Sequence, residues 1–201
     1  MAKLYYRHGP MGSGKSAQLL IVAQNYRDAG RRVLIVKPAT DTRSAAIESR
    51  IPGVSAPADL VADQEVNLFK TVLERHAAAP IDCVLVDEAQ FIAPQQVNDL
   101  FLVTVKLGIP VIGYGLRTDY QAELFPGSAR WLALAQLEEL KMICRCNRKA
   151  TLTGRKRADG AFIASDPGEN EQVFMGGSES YEALCPVHYV EWVGDARFRR
   201  K

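Results

Sequence analysis

The stretch Gly9-Pro10-Met11-Gly12-Ser13-Gly14-Lys15-Ser16 decides the fold of this 201-residue chain, because it fits the phosphate-loop pattern G-x-x-x-x-G-K-[ST] without a departure. Gly14 allows a tight backbone turn in which successive main-chain N–H groups point inward and bind an anion. Lys15 is expected to reach the β- and γ-phosphates of a nucleotide, and Ser16 to bind Mg²⁺. The alternative is a glycine-rich turn that binds nothing.

The residues on either side of the loop predict an α/β fold. A short apolar run, Leu4-Tyr5-Tyr6, predicts a buried strand that leads into the loop. Apolar residues at helical spacing over 16–29 predict a helix, which Gly30 ends. The β-branched run Val33-Leu34-Ile35-Val36 predicts a second buried strand. Strand, helix and strand in close succession form a parallel βαβ unit.

Further along the chain, apolar periodicity predicts more strands and helices before the composition becomes polar near residue 143. Strands are expected over 81–86, 109–114 and 137–143, the last of them in the core, and helices over 66–76, 94–107 and 131–135. Long loops are expected over 41–63 and 116–130. We predict a parallel sheet flanked by helices over 1–143.

Two carboxylates follow the strand predicted over 81–86. Asp87 and Glu88 stand at its carboxyl end, which is where ligands bind in parallel sheets. A phosphate loop needs an acidic partner on a neighbouring strand to organise Mg²⁺, and Asp87 is the candidate. Glu88 is the candidate base for the proton of an attacking hydroxyl. The division of roles stays open at this point, and solvated residues that merely close a strand are the alternative.

Three of the four cysteines and one histidine form two close pairs, Cys144-Arg145-Cys146 and Cys185-Pro186-Val187-His188. Three thiolates and one imidazole suit a tetrahedral structural zinc, which leaves no position for substrate. The first pair is tighter than the usual spacing, and ordinary reduced cysteines are the alternative. We expect zinc to anchor a C-terminal segment that is too polar to build its own core. Cys83 lies in a strand and is expected in the core.

Composition and charge limit the other possibilities. With 47% apolar residues, 24% charged residues and a net charge of +2, the chain has material for a sizeable core and no charge excess that demands a nucleic-acid or membrane partner. No apolar run is long enough for a transmembrane helix and the first residues lack the pattern of a signal peptide, so we expect a cytoplasmic protein. The expected domains are a P-loop domain over 1–143 and a zinc-binding domain over 144–192, followed by a flexible basic tail over 193–201.

Four motifs stand in a specific order. They are G-P-M-x-S-G-K-S in the phosphate loop, Asp87-Glu88-Ala89-Gln90-Phe91, Tyr114-Gly115-Leu116-Arg117-Thr118-Asp119, and Met175-Gly176-Gly177-Ser178-Glu179-Ser180-Tyr181. Together they resemble the type II thymidine kinases, the cytosolic kind found in bacteria and animals. The C-x-C and C-x-x-H pairs match some bacterial members, and the resemblance runs from about residue 3 to about residue 190.

The resemblance implies a RecA-like P-loop domain with a small zinc-bound lasso domain. It implies that the γ-phosphate of ATP, bound with Mg²⁺, moves to the 5′-hydroxyl of thymidine to give dTMP. It also implies a homotetramer and feedback inhibition by dTTP. We expect these properties of the chain if it is a member of this family.

The same resemblance implies a role for individual residues. It places the catalytic base at Glu88 and the magnesium ligands at Ser16 and Asp87. The zinc ligands fall on Cys144, Cys146, Cys185 and His188. The ATP site falls on Gly9, Pro10, Met11, Gly12, Ser13, Gly14, Lys15, Ser16, Asp87, Glu88, Ala89 and Gln90. The nucleoside pocket falls on Met11, Phe91, Leu116, Tyr120, Phe125, Thr153 and Tyr181, with main-chain groups of Val173, Phe174, Met175 and Gly176 reading the base.

Such a pocket is physically reasonable, because aromatic and apolar faces can enclose a pyrimidine while a few polar groups fix its edge. Core packing is the alternative for each aromatic residue taken singly. Gly12 stands where the family often has a bulkier residue, and 156–172 align poorly, which leaves the conformation of the lasso open. Asp41 and Arg43 match a D-x-R of the family, which implies a role beside the phosphates.

Two other functions remain open from the sequence. A P-loop ATPase or GTPase would hydrolyse nucleotide, although the chain lacks the N-K-x-D motif that reads guanine. A zinc-ribbon module that binds nucleic acid would be favoured by basic residues near the cysteines. Those basic residues are Arg145, Arg148, Lys149, Arg155, Lys156 and Arg157.

Overall fold

The computed structural model describes residues 1–40, 46–163, 180–195 and 198–199. The strands in this part of the chain are β1 (Leu4–His8), β2 (Val33–Pro38), β3 (Ala46–Glu48), β4 (Ser55–Pro57), β5 (Leu60–Ala62), β6 (Cys83–Val86), β7 (Val111–Gly115), β8 (Gln136–Glu139), β9 (Leu152–Arg155) and β10 (Tyr181–Leu184). The α-helices are α1 (Lys15–Asp28), α2 (Leu68–Ala78), α3 (Pro94–Leu102), α4 (Pro126–Leu134) and α5 (Pro186–Trp192).

Six strands form a parallel sheet in the order β5-β2-β6-β7-β1-β8. Each neighbouring pair is parallel, with Val33 of β2 opposite Cys83 of β6 and Leu4 of β1 opposite Val111 of β7. The carboxyl ends of these strands therefore share one edge, where the phosphate loop follows β1 and the two carboxylates follow β6. The predicted parallel sheet flanked by helices is confirmed.

The two faces of the sheet are both covered by helices. Alternate side chains such as Val84 and Val86 pack against α2, α3 and α4 on one face. Their neighbours Leu85 and Ile35 pack against Leu19 and other residues of α1 on the opposite face. Burial on both faces explains why these strands are continuous apolar runs without polar alternation. Cys83 is fully buried in the second cluster, as predicted.

The helices begin and end at recognisable signals. α1 starts after Gly14, which has a left-handed φ of 79°. Asn67 caps α2 by accepting a hydrogen bond from the main-chain N–H of Lys70, and α3 begins at Pro94. α3 continues as a short π-helix, which gives way to Gly108 at a φ of 67°. Among the described residues there is no helix with the length and apolar character needed to span a membrane.

Several predicted elements need correction. Within 46–63, predicted as loop, β3 and β4 form an antiparallel hairpin and β5 joins the main sheet. Strands of three residues are too short to give a periodic signal. The strand predicted in the core over 137–143 is the edge strand β8, where Leu137 is exposed because only β1 flanks it. The loop predicted over 116–130 ends earlier, since α4 begins at Pro126.

A smaller unit, here called the Cys/His region, comprises residues 144–163 and 180–193. In it β9 and β10 pair antiparallel, and α5 follows β10. Its buried residues are Cys144, Ala150, Ala183, Leu184, Cys185, Tyr189 and Val193. The segment has a small buried cluster, and two of the predicted metal ligands, Cys144 and Cys185, are part of it. That it needs zinc to fold stays a prediction.

Candidate active site and metal site

The phosphate loop joins β1 to α1 at the carboxyl edge of the sheet. Gly12 and Gly14 have φ values of 84° and 79°, which lie in the left-handed region that favours glycine. The N-terminus of α1 follows directly and adds the positive end of its dipole. Lys15 Nζ donates to the carbonyl oxygens of Gly9 and Pro10, each 3.0 Å away. The ammonium is thus held at the loop that is predicted to bind phosphate.

Asp87 lies against the start of α1. Ser16 Oγ donates to its carboxylate and is 3.2 Å from both Oδ1 and Oδ2. Burial, followed by the negative charge of Glu88, raises the pKa of Asp87 to about 7. A hydroxyl and a carboxylate oxygen are hard ligands of the kind that Mg²⁺ prefers. The chemistry of this pair therefore fits a magnesium ion, whose charge would favour the ionised carboxylate.

Glu88 has an unusual backbone conformation. Its φ of 43° and ψ of 44° are left-handed, which is uncommon for a residue other than glycine, asparagine or aspartate. It immediately precedes a short 3₁₀ turn, Ala89–Phe91. Glu88 Oε2 accepts a hydrogen bond of 2.6 Å from Gln90 Nε2. The carboxylate stands one residue after Asp87, at the same edge of the sheet as the phosphate loop.

The aromatic residues predicted for the nucleoside pocket have different surroundings. The rings of Phe91 and Phe125 meet edge to face, with centroids 5.6 Å apart. Tyr120 is buried, and its main-chain oxygen accepts a 2.6 Å hydrogen bond from Tyr189 Oη. The guanidinium of Arg155 lies 5.4 Å from the centre of the Tyr120 ring. Tyr120 therefore packs against the Cys/His region.

A pocket opens beside the phosphate loop, where the Cys/His region meets the sheet. Its lining residues are His8, Gly9, Pro10, Leu116, Arg117, Thr118, Glu139, Thr151 and Thr153. Thr153 Oγ1 accepts a 3.2 Å hydrogen bond from the main-chain N–H of Met11, so β9 contacts the loop directly. Sequence reasoning gave no role to His8, Arg117 or Thr118, although the last two lie in one of the quoted motifs. Their position in that motif is the sequence signal that could have identified Arg117 and Thr118 as site residues.

Some predicted residues lie outside the described part of the chain. They are Asp41, Arg43, Val173, Phe174, Met175 and Gly176. Tyr181, the next predicted residue, begins β10 opposite Arg155 of β9 and is half-buried. Main-chain recognition of a base by 173–176 therefore stays a prediction.

A backbone turn after the first pair and the start of α5 at the second pair orient the predicted metal ligands. Asn147 follows the first pair with a left-handed φ of 62°, and its main-chain N–H donates to the carbonyl oxygen of Cys144 at 2.8 Å. Cys185 is the residue before α5, so that His188 lies in the first turn of this helix. The imidazole of His188 stacks on the ring of Trp192, with centroids 4.0 Å apart. These contacts fix the direction of each ligand pair.

The four donor atoms have a spacing that fits one zinc ion. The Sγ atoms of Cys144, Cys146 and Cys185 and a ring nitrogen of His188 all lie within 4.8 Å of one another. The two Sγ atoms of Cys146 and Cys185 are 3.6 Å apart, and Cys144 Sγ is 3.1 Å from His188 Nδ1. Zinc–sulfur bonds of about 2.3 Å give tetrahedral edges of about 3.8 Å. The main-chain N–H of His188 lowers the pKa of the Cys185 thiol, which favours the thiolate that binds metal.

Three of the six basic residues near the cysteines pair with acids. Arg145 forms two hydrogen bonds with Glu182, at 2.7 and 2.8 Å, and Lys156 Nζ lies 3.5 Å from the same carboxylate. Lys149 pairs with Glu139. These ion pairs reduce the positive charge that this part of the Cys/His region could offer to a nucleic acid.

Together, the parallel sheet, the phosphate loop and the acidic residue on a separate strand define a P-loop nucleotide-binding protein. The model of the thymidine kinase family matches residues 2–189 of the chain. The chain belongs to the thymidine kinase family.

Individual known proteins are similar over nearly the whole chain. A thymidine kinase of Ruegeria pomeroyi is 44% identical over 198 residues, which cover 97% of each chain. A thymidine kinase of Haemophilus influenzae is 46% identical over 197 residues, covering 96% of this chain and 99% of the other. Among solved structures, the Legionella pneumophila ATPase DotB matches 74% of this chain and 43% of its own, with 15% identity and a TM-score of 0.42.

Proposed function

We propose that this protein is a thymidine kinase that transfers the γ-phosphate of ATP to the 5′-hydroxyl of thymidine and releases dTMP and ADP. Membership of the family and the full-length similarity to two proteins named thymidine kinase support this function. The observation that carries it is the arrangement of Glu88 next to Asp87, which contacts Ser16 of the phosphate loop. This arrangement supports the proposal, because a base, a metal ligand and a phosphate site would then lie at one edge of the sheet.

The phosphate side of the reaction would use charge and main-chain dipoles. The N–H groups of the loop and the start of α1 would bind the triphosphate, and Lys15 would turn from its loop carbonyls to the β- and γ-phosphates. Ser16 and Asp87 would hold Mg²⁺, which supplies positive charge beside the transferred phosphate. Transfer of the phosphate mainly requires that its partners be positioned correctly.

On the acceptor side, Glu88 would take the proton of the 5′-hydroxyl as its oxygen attacks the γ-phosphorus. The bond between that phosphorus and the β–γ bridging oxygen breaks, and ADP leaves. A positioned base of this kind contributes about 10² to 10⁴ in rate. Met11, Phe91, Leu116 and Thr153 would border the nucleoside, with Tyr120 and Phe125 packing behind them.

The four Cys/His ligands would hold a structural zinc ion that takes no part in the chemistry, since a closed tetrahedral site has no open position. Its role would be to fix β9 and α5, and β9 carries Thr153 to the phosphate loop. We propose the P-loop domain over 1–143 and the zinc-binding domain over 144–192 on this basis. Family resemblance supports three further proposals, namely a homotetramer, inhibition by dTTP and a location in the cytoplasm.

The direct test is to incubate the purified protein with labelled ATP and each of the four deoxynucleosides in turn. We expect labelled dTMP with thymidine, and much less product with the purine deoxynucleosides. Glu88→Gln should lower kcat by about 10² to 10⁴ while ATP binding is kept. ATP hydrolysis at the same rate with and without thymidine would instead indicate a plain ATPase, and wild-type turnover in Glu88→Gln would remove Glu88 from the mechanism.

A further inference from the structure

Gln90 lies between the candidate base and the loop that follows β7. Its side chain is almost completely buried, with 2% exposed. Its Nε2 donates to Glu88 Oε2 at 2.6 Å, and its Oε1 accepts from the main-chain N–H of Leu116 at 3.0 Å. We infer that Gln90 is a positioning residue, which holds the Glu88 carboxylate at a fixed place relative to Leu116 in the nucleoside pocket. This inference rests on the proposed function and gives the side chain a task other than binding ATP.

The orientation of the Gln90 amide follows from its partners. A main-chain N–H can only donate, so the group that faces Leu116 N must be the amide oxygen. The amide nitrogen then faces Glu88 Oε2, which accepts its hydrogen bond. Rotation of the amide by 180° would lose both hydrogen bonds and bring two acceptors together. The Gln90 amide can therefore form both hydrogen bonds in only one of its two orientations.

Both ends of this bridge are fixed by further hydrogen bonds. The carbonyl oxygen of Leu116 accepts from Tyr6 Oη at 2.5 Å and from Ser128 Oγ at 2.6 Å. On the other side, Trp131 Nε1 donates to the carbonyl oxygen of Ala89 at 3.0 Å. Trp131 and Ser128 both lie on α4. The short segment that carries Glu88 and Gln90 is thus tied to the same helix as Leu116.

Two glycines allow close approach of the chain to Gln90. A Cβ on Gly115 would lie 2.8 Å from Gln90 Oε1 and 2.8 Å from Tyr6 Oη. A Cβ on Gly127 would lie 2.6 Å from the main-chain oxygen of Gln90. Both positions require glycine because the neighbouring atoms approach closely. The segment that carries Gln90 thus packs directly against β7 and α4.

The bridge matters because Glu88 has a left-handed backbone, with a φ of 43°. A residue in that conformation depends on its surroundings to stay there. Proton transfer also requires a hydrogen-bond distance between the base and the 5′-hydroxyl, and an error of 1 Å costs about 10² in rate. The hydrogen bond from Gln90 would set this distance by joining the base to the wall of the nucleoside pocket.

The test compares Gln90→Met with Gln96→Met. Gln96 is a matched control, since its side chain is 3% exposed and makes hydrogen bonds to Asp63 O and Val66 O and from Ala93 N, away from the site. We expect Gln90→Met to lower kcat for thymidine phosphorylation by about 10² and to leave the KM for ATP within about threefold. Gln96→Met should lower the melting temperature and leave kcat per folded molecule unchanged.

Gln90→Glu provides a second variant of the same shape in case the methionine variant does not fold. Its carboxylate keeps an acceptor for Leu116 N but lacks the donor for Glu88, so we again expect a low kcat with an unchanged KM for ATP. Wild-type kcat in either folded variant would overturn the inference. A KM for ATP raised tenfold at normal kcat would do so too, since Gln90 would then serve the nucleotide. If the wild-type protein makes no dTMP, the proposed function itself fails.

Discussion

The parallel sheet and the Cys/His region are stabilised in different ways. The sheet has an apolar layer on each face, and its central strands β2, β6 and β7 are buried along their whole length. The Cys/His region has one small cluster, which includes two of the proposed metal ligands. Apolar burial alone can stabilise the first unit, whereas a unit of the second size usually needs a metal or disulfides. The sheet therefore carries the phosphate loop, whereas the four candidate metal ligands lie in the smaller unit.

The two units nevertheless meet at the site. The main-chain N–H of Met11 donates to Thr153 Oγ1, and Tyr189 Oη donates to the carbonyl oxygen of Tyr120. Thr153 and Tyr189 belong to the Cys/His region, and their partners to the phosphate loop and the loop after β7. The fold of the Cys/His region can therefore influence the site through these hydrogen bonds.

The largest expected effect comes from removing a metal ligand. Cys185→Ala should lower the zinc content from about one per chain to near zero, because structural zinc sites contribute about 10–16 kcal/mol of apparent binding free energy. Amide hydrogen exchange should then accelerate in β9, β10 and α5, while β2, β6 and β7 stay protected. Metal analysis would measure the zinc content, and mass spectrometry would measure the rate of amide hydrogen exchange.

The matched control for this experiment is Cys83→Ala. Cys83 is equally buried but lies in the sheet, so its loss should leave the zinc content unchanged and cost about 1 kcal/mol of unfolding free energy. Unchanged zinc in Cys185→Ala would show that the ligand set is wrong. Equal acceleration of exchange in the sheet would show that the two units are not separate.

The next effect contrasts two fully buried leucines, Leu85 in the sheet and Leu184 in the Cys/His region. Leu85→Ala should lower the free energy of unfolding by about 2–5 kcal/mol and move the main denaturation transition. Leu184→Ala should loosen mainly β9 and β10 and leave that main transition nearly in place. Urea denaturation followed by fluorescence and by hydrogen exchange would separate the two. A main transition moved equally by both substitutions would contradict the comparison.

How far the sequence predicts the fold depends on the kind of element. Continuous β-branched runs such as Val33-Leu34-Ile35-Val36 identify buried parallel strands, because both faces are covered. The hairpin of β3 and β4 and strand β5 were not predicted, since three residues are too few for a periodic pattern. The helix predicted over 66–76 is α2 at Leu68–Ala78, so its two ends are each shifted by two residues.

How far the sequence predicts the site depends on whether the residues are close in the chain. The phosphate loop, the Asp87-Glu88 pair and the two Cys/His pairs are local patterns, and the structure brings the members of each together. Long-range contacts have no such pattern. The bridge from Gln90 to Leu116 spans 26 positions, and the contact of Thr153 with Met11 spans 142. Only a folded chain reveals which partner each of these polar groups has.

A smaller effect tests the contact between the units. Thr153→Val removes the acceptor for the main-chain N–H of Met11, and loss of such a hydrogen bond costs about 1 kcal/mol. We expect ATP to bind about fivefold more weakly, because a loop whose N–H lacks a partner is less well ordered for phosphate. Thr153→Ser keeps the hydroxyl and should bind ATP as the wild type does. Titration calorimetry would measure both variants, and equal affinities in valine and serine variants would show that this hydrogen bond does not order the loop.

The smallest expected effect is the pH dependence caused by His8, which lines the pocket between the two units. Burial, and then the positive charge of Arg117, lower the pKa of His8, although Glu139 acts in the opposite sense. The unfolded chain therefore binds a proton on His8 at a higher pH than the folded chain does. As the pH falls through the unfolded value of about 6.5, this histidine removes stability from the fold.

His8→Gln lacks this titration. We expect the difference in unfolding free energy between the wild type and His8→Gln to shift in favour of the variant between pH 7.5 and pH 5.5, and urea denaturation at both values measures it. Taking the difference between the two proteins cancels the titration of their other groups. If the difference in unfolding free energy is the same at both pH values, the charges of Lys15, Lys149 and Arg117 do not oppose protonation of His8. The contact surface between the two units would then be open to water.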